Sequence, residues 1–165
     1  MEIRPFLPDP AGLGCEHLEI GQDRVTLDLE SIATSAICPV CGSSSGRVHS
    51  RYTRTVSDLP WLGKTTRLRI RVRRFFCDNP GCPGSTFAER LPQVAAAYSR
   101  KTFRAAQALC DIGFALGGEA GSRLADHLRM PASGDTLLRL IRRFSSGISL
   151  RDCRKTPETW CYGDL

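Results

Sequence analysis

The chain predicts an α+β protein, with strands first and helices after. Three observations carry this. Apolar residues alternate with polar ones between about residues 18 and 76, then recur at about 3.6 between 99 and 144. Two cysteine pairs, Cys38/Cys41 and Cys77/Cys82, close the two ends of the strand-like stretch. A Pro- and Ala-containing linker at 83–98 separates the two periodicities. The expected organisation is a β-rich part at 1–92, a three-helix part at 93–145 and an irregular tail at 146–165.

Residues 1–14 are rich in Pro and Gly and read as a lead-in. Leu18 and Ile20, then Val25, Leu27 and Leu29, flank Gly21-Gln22-Asp23 and predict a hairpin. Ala36-Ile37 leads into the first cysteine turn, and Ser43–Gly46 reads as a loop. Val48–Val56 is a further strand. Asp58–Gly63 is expected to be a connection, broken by Pro60 and Gly63. In Thr65–Phe76, Leu68, Ile70 and Val72 alternate with Arg67, Arg69, Arg71 and Arg73, so the aliphatics take one face and the arginines the other.

The cysteines carry the chemistry. Cys38-Pro39-Val40-Cys41-Gly42 and Cys77-Asp78-Asn79-Pro80-Gly81-Cys82 are tight turns, each able to point two sulfurs at one ion. Gly42 and Gly81 free the backbone to curl around it. Cys38, Cys41, Cys77 and Cys82 are therefore read as the ligands of one structural Zn²⁺, which makes the β-rich part a zinc ribbon. Four protein ligands leave no open coordination position for catalysis. A redox Cys-x-x-Cys would stand alone at a helix start. Two disulfides would suit a secreted chain, but Met1-Glu2-Ile3-Arg4-Pro5 does not read as a signal peptide. Cys15, Cys110, Cys153 and Cys161 are singletons, Cys110 fitting a small buried hydrophobe. His17, His49 and His127 are not needed as ligands.

The net charge is +6, unevenly spread. Residues 1–46 hold seven acids against two bases, whereas 47–165 hold 21 bases against ten acids. A polyanion is the simplest partner for such a surplus. No run approaches the ~18 apolar residues of a membrane span. The arginine stripe of 67–73 repels itself, and either a phosphate backbone or the acidic N-terminal hairpin would relieve it.

In the helical part, Ser99 is the expected N-cap of a helix through Leu116, with Phe103, Ala106, Cys110 and Gly113 on its buried stripe. Gly117-Gly118 should end it. A second helix is expected over 119–129, with Ala120, Leu124, Ala125 and Leu128 inward. Ser133 should cap a third, with Asp135 near its positive end and Leu137, Leu138, Ile141 and Phe144 buried. Three helices with a short turn before a basic third fit a helix-turn-helix or a generic three-helix bundle. In the former, Ser133, Asp135, Thr136 and Arg139 would approach base edges, and Arg142 and Arg143 phosphates.

Several spaced motifs agree in order with one known family. Cys38–Gly42, Val48–Arg54, Asp58-Leu59-Pro60, Arg73–Cys77, Cys82 and Phe87–Arg90 resemble the zinc-binding N-terminal region of the ISL-three family of insertion-sequence transposases. Gly117–Ala125 and Met130–Arg139 resemble that family's helix-turn-helix, with Gly134 where the family pattern usually offers Pro. The resemblance implies recognition of double-stranded DNA at terminal inverted repeats, with the full-length transposase or a second copy of this chain as protein partners. It implies a cytoplasmic, nucleoid-associated protein. The family's ribonuclease-H-like catalytic domain is not matched after Phe144. Asp152, Glu158 and Asp164 stand in a tail too short to hold two metal ions about 4 Å apart. The chain thus reads as a truncated transposase that binds DNA and is not itself an enzyme. A stand-alone zinc-ribbon transcription regulator is the alternative.

Overall fold

The computed structural model describes residues 12–145. Seven strands precede two helices: β1 (Leu13–Ile20), β2 (Arg24–Ser31), β3 (Ala36–Ile37), β4 (Ser44–Ser45), β5 (Val48–Trp61), β6 (Lys64–Phe76), β7 (Thr86–Ala88), α1 (Phe103–His127) and α2 (Gly134–Ser145). The main sheet has the order β1-β2-β6-β5, with β7 also on β6, and β3 and β4 form a separate small pair. β6 is the organising strand. It lies antiparallel to β5 over most of its length and parallel to β2 from Thr65 to Arg71. β7 pairs with Arg74–Phe76, continuing the edge where β2 ends.

Alternation decides which face of the sheet is dry. Val25, Leu27 and Leu29 of β2, Val56 of β5 and Leu68, Ile70 and Val72 of β6 form one buried layer. Leu91, Val94 and Ala95, in the segment after β7, cover it. β5 and β6 meet in a two-residue turn in which Leu62 (φ 54) and Gly63 (φ 68) both have left-handed backbones. Two positive φ values match the right-handed twist of the paired strands. The expected connection at Asp58–Gly63 is thus corrected. The strand runs through Pro60 to Trp61, which pairs with Lys64. Two further expected loops hold short strands, β4 at Ser44–Ser45 and β7 within the linker.

The helical part is clamped to β5 by a buried carboxylate. Asp58 is 5% exposed and accepts from the Thr102 hydroxyl (2.6 Å) and from Nε and Nη2 of Arg104. The arrangement raises the Arg104 pKa further above its ordinary value, mainly through its bond to Asp58. The same Thr102 hydroxyl caps α1 by accepting from the Ala105 N–H (3.2 Å). Backbone bonds from Ser57 N–H to Arg100 O and from Thr102 N–H to Ser57 O lay the start of α1 along the β5 edge. Arg54 donates to the carbonyls of Ala96 (2.5 Å) and Ser99 (2.6 Å), tying down the linker as well.

The expected three-helix, helix-turn-helix domain is overturned: the described residues form two helices on a sheet-rich body, and the α+β class stands. Thr102, not Ser99, is the N-cap. Gly117-Gly118 does not end α1 but kinks it, with Gly117 at φ 73 and ψ −166, a conformation that glycine alone adopts readily. Leu124, Leu128 and Leu138, expected inward, are exposed, and Leu140 is buried in their place. The Phe144 side chain and the tail lie outside the described residues.

The two helices cross closely on glycines. A Cβ on Gly134 would stand 3.2 Å from the Gly118 carbonyl carbon, and one on Gly121 would stand 2.9 Å from Leu137 Cδ1. This gives Gly134 a packing reason where helix propensity would favour another residue. Gly134→Ala should therefore lower stability by about 1–2 kcal/mol despite alanine's better helix propensity. Asp58→Ala should cost about 2–4 kcal/mol, because it strands the Thr102 hydroxyl and the half-buried Arg104 guanidinium. Urea unfolding of the zinc-loaded chain measures both. A gain from the first or a loss under about 0.5 kcal/mol from the second would contradict these roles.

Candidate metal centre

Each cysteine pair sits on a hairpin that the sheet positions. The first spans β3 and β4, whose pairing sets Ala36 opposite Ser45 and Ile37 opposite Ser44. Inside it the Cys38 N–H donates to Ser43 O (2.8 Å) and the Gly42 N–H to Cys38 O (2.9 Å). Gly42 has φ 76, so it supplies the left-handed step; Gly81, expected to share that task, is not in the left-handed region. The second turn joins β6 to β7. There the Cys77 N–H donates to Ser85 O (2.9 Å) and the Cys82 N–H to Asn79 O (3.1 Å). β6 runs straight into Cys77, so the strand that orders the sheet also aims this half of the site.

The four sulfurs lie within 4.8 Å of one another. Cys38 Sγ is 3.9 Å from Cys82 Sγ, and Cys41 Sγ is 3.5 Å from Cys77 Sγ. A tetrahedron with Zn–S bonds near 2.3 Å has edges of about 3.8 Å, so the cluster has the size of a zinc site. The same separations are far beyond the ~2.05 Å of a disulfide, and all four are free cysteines. Beneath them Phe75 stacks on Phe87 at 5.9 Å, and buried Cys38 completes a small separate core. As bare thiols Cys41 and Cys77 would ionise very unequally. Hydrogen bonding from Ser43 brings Cys41 down to about 6. Cys77 is raised to about 12; the Asn79 backbone bond pulls it down, but burial and the neighbouring sulfurs outweigh that pull. A divalent cation removes this conflict by taking all four as thiolates. The cofactor is one structural Zn²⁺.

Other candidates fall outside the cluster. Cys110 is fully buried among the helices, and burial pushes its thiol pKa up. His17 lies 3.7 Å from Asp28, and His49 packs edge-on against Phe76. Cys153 and Cys161 lie outside the described residues.

The arginine stripe of β6 stands on the outer sheet face, opposite the buried aliphatics. Two of its members are engaged by acids. Arg69 makes a two-pronged pair with Asp28 on β2, at 2.5 and 2.6 Å, which lowers the Asp28 pKa. Arg73 is 3.0 Å from the nearly buried Glu89 and also donates to Ser31 Oγ and Ala33 O. The acidic hairpin is therefore one real neighbour of the stripe. Arg67 and Arg71 are exposed and have no ion pair among the described residues. On α2, the Ser133 hydroxyl accepts from the Thr136 N–H (3.3 Å), as a cap should. Asp135, Arg139, Arg142 and Arg143 are exposed and Thr136 is half-buried. Sequence reasoning missed the Asp58–Thr102–Arg104 and Ser31–Arg73–Glu89 clusters. The signal available was Asp58 itself, an acid in the inward phase of β5.

Removing zinc should unfold the ribbon, since structural zinc supplies an apparent ~10–16 kcal/mol in small modules. Metal analysis should find one zinc per chain, and Cys38→Ala should abolish it together with cooperative melting of the sheet. A chelated chain that melts unchanged would rule out the structural role.

Residues 34–82 match a family model described as the zinc-finger of transposase IS204/IS1001/IS1096/IS1165. A transposase for insertion sequence element IS1001 from Bordetella parapertussis is 33% identical over 100 residues, which cover 59% of this chain and 24% of that protein. The chain thus spans about a quarter of the length of this relative. No solved structure matches. The four sulfurs, the strands that aim them and these matches together identify residues 34–82 as a zinc ribbon of the ISL-three insertion-sequence transposase type.

Proposed function

We propose that the chain binds double-stranded DNA at the terminal inverted repeats of an insertion sequence. The carrying observation is a transposase-type zinc ribbon in a chain whose residues beyond 46 have a large surplus of bases. In this reading the zinc stiffens the sheet. Arg67 and Arg71 on β6, and Ser133, Asp135, Thr136, Arg139, Arg142 and Arg143 at and along α2, supply the DNA contacts. Arg69 and Arg73 contribute less, because Asp28 and Glu89 already hold them. Among the described residues, the four cysteines are the group of side chains close enough to share a metal ion. Residues 12–145 in this reading recognise DNA and do not cut or join it. The partner at the paired ends is a second copy or an intact transposase, and the location is the nucleoid. No described helix is long and apolar enough to cross a membrane.

A binding titration on the zinc-loaded chain tests this, using the terminal repeat and a scrambled duplex. Preference for the repeat is expected. Neutralising six phosphates would weaken binding roughly 10³-fold between 50 and 200 mM salt. Equal, salt-insensitive binding to both duplexes would overturn the proposal.

A further inference from the structure

Where β5, β6, α1 and the α1–α2 connection meet, the chain leaves a cleft of about 120 Å³. Arg24, Arg67, Lys101 and Arg129 line it, with Thr66 and Asp58. The four cations have no ion-pair partner among the described residues. The one carboxylate, Asp58, already accepts from Thr102 and Arg104 on both of its oxygens. Lys101 and Arg129 therefore border a partly enclosed space without a free counter-charge, while Arg24 and Arg67 line it from the outer phase of the sheet.

A second feature points the same way. Thr66 begins the inward row of β6 that continues through Leu68, Ile70 and Val72, and it is only 7% exposed. Its Oγ1 is the buried side-chain polar atom that finds no hydrogen-bond partner among the described residues. Native interiors rarely leave such a group unmatched, so an external acceptor beside it is the natural complement. Lys101 is half-buried, and desolvation depresses its pKa, as expected for an ammonium waiting for an anion. Arg129 holds a left-handed backbone (φ 60) just after α1, a position usually given to glycine. Keeping arginine there gives the side chain a use beyond ending the helix.

A ligand matching these groups needs several acceptor oxygens and at least one negative charge. Resting on the DNA-binding reading above, we infer that this cleft binds a phosphate group, and that in the complex it holds one phosphate of the DNA backbone. Thr66 donates its hydroxyl, Lys101 acts as a point charge, and Arg129 offers a planar donor fork. The site straddles the sheet and the helices, so an occupied cleft would also fasten one to the other.

The test follows backbone amide shifts of the full zinc-loaded chain during titration with inorganic phosphate, then with a terminal-repeat duplex. Thr66→Val and Lys101→Met are the variants, chosen to preserve shape. Both should melt at or above the parent temperature, because each removes an unmatched polar group. Phosphate should shift the amides at 65–67 and 101 in the parent and much less in the variants. Lys101→Met should bind duplex about tenfold more weakly and reduce the salt slope by about 1, which a purely structural lysine would not do. If the duplex shifts α2 but neither ligand moves the cleft, the cleft inference fails and DNA binding survives. If phosphate binds the cleft and no duplex binds, the DNA reading fails and the cleft stands as a site for free phosphate. Shifts equally large in the variants would mark adventitious binding and overturn the site.

Discussion

A single ion held by Cys38, Cys41, Cys77 and Cys82 closes a loop that contains all of β5 and β6. At one end those two strands are joined by a two-residue turn. Zinc fixes the opposite end, where Cys77 follows β6 without a spacer. Because β6 pairs with β2, β5 and β7, a fixed end for β6 is a fixed register for the sheet. A slip by one residue would turn Leu68, Ile70 and Val72 outward and bring arginines into the core. The coordination geometry and the hydrophobic alternation thus enforce the same register, and consistency between such levels is what gives a sequence one structure.

The charges divide into those the fold consumes and those it leaves over. Asp28 takes Arg69, Glu89 takes Arg73 and Asp58 takes Arg104. These pairs differ in burial, and their meaning differs with it. The Asp28–Arg69 pair is exposed enough that water and salt weaken it, so its main effect is to soften repulsion along the stripe. The Asp58 and Glu89 carboxylates are nearly buried, and each is surrounded by donors from separate elements. Breaking one of these leaves an unmatched charge inside, so they specify how the pieces dock more than they add net stability. The cations that keep no ion-pair partner among the described residues include Arg24, Arg67, Lys101 and Arg129, which line the junction cleft.

The zinc ligands were legible because two turns of correct length around strand-like sequence leave few other solutions, and the buried row of β6 because period two is unambiguous. The helices were less legible. Gly117-Gly118 reads as a stop, since glycine ends helices far more often than it bends them, yet packing of α1 on α2 continues the helix through the kink. Leu124 and Leu128 fit an inward stripe in a separate short helix, but in the kinked α1 they face outward. The strand end at Pro60-Trp61 was hidden because Pro usually breaks strands; here it lies near an irregularity in the β5–β6 ladder, where pairing skips from Asp58 to Trp61. The buried acids could not be paired in advance, because Thr102 and Arg104 lie more than 40 residues from Asp58 and no local pattern links them.

The junction between sheet and helices is where these threads meet. Asp58 secures it with neutralised charge, and the cleft that Asp58 also lines holds cations without an ion-pair partner among the described residues. An anion in the cleft would contact residues from both halves, so its binding free energy would add to the docking of α1 on β5 and, through α1, to the placement of α2. The linkage runs both ways: loosening the Asp58 clamp would separate the cations that line the cleft and weaken their hold on a phosphate. The ribbon, the clamp and α2 would then behave as one unit, with zinc setting the register of β6, which lines the cleft and pairs with the strand that carries the clamp.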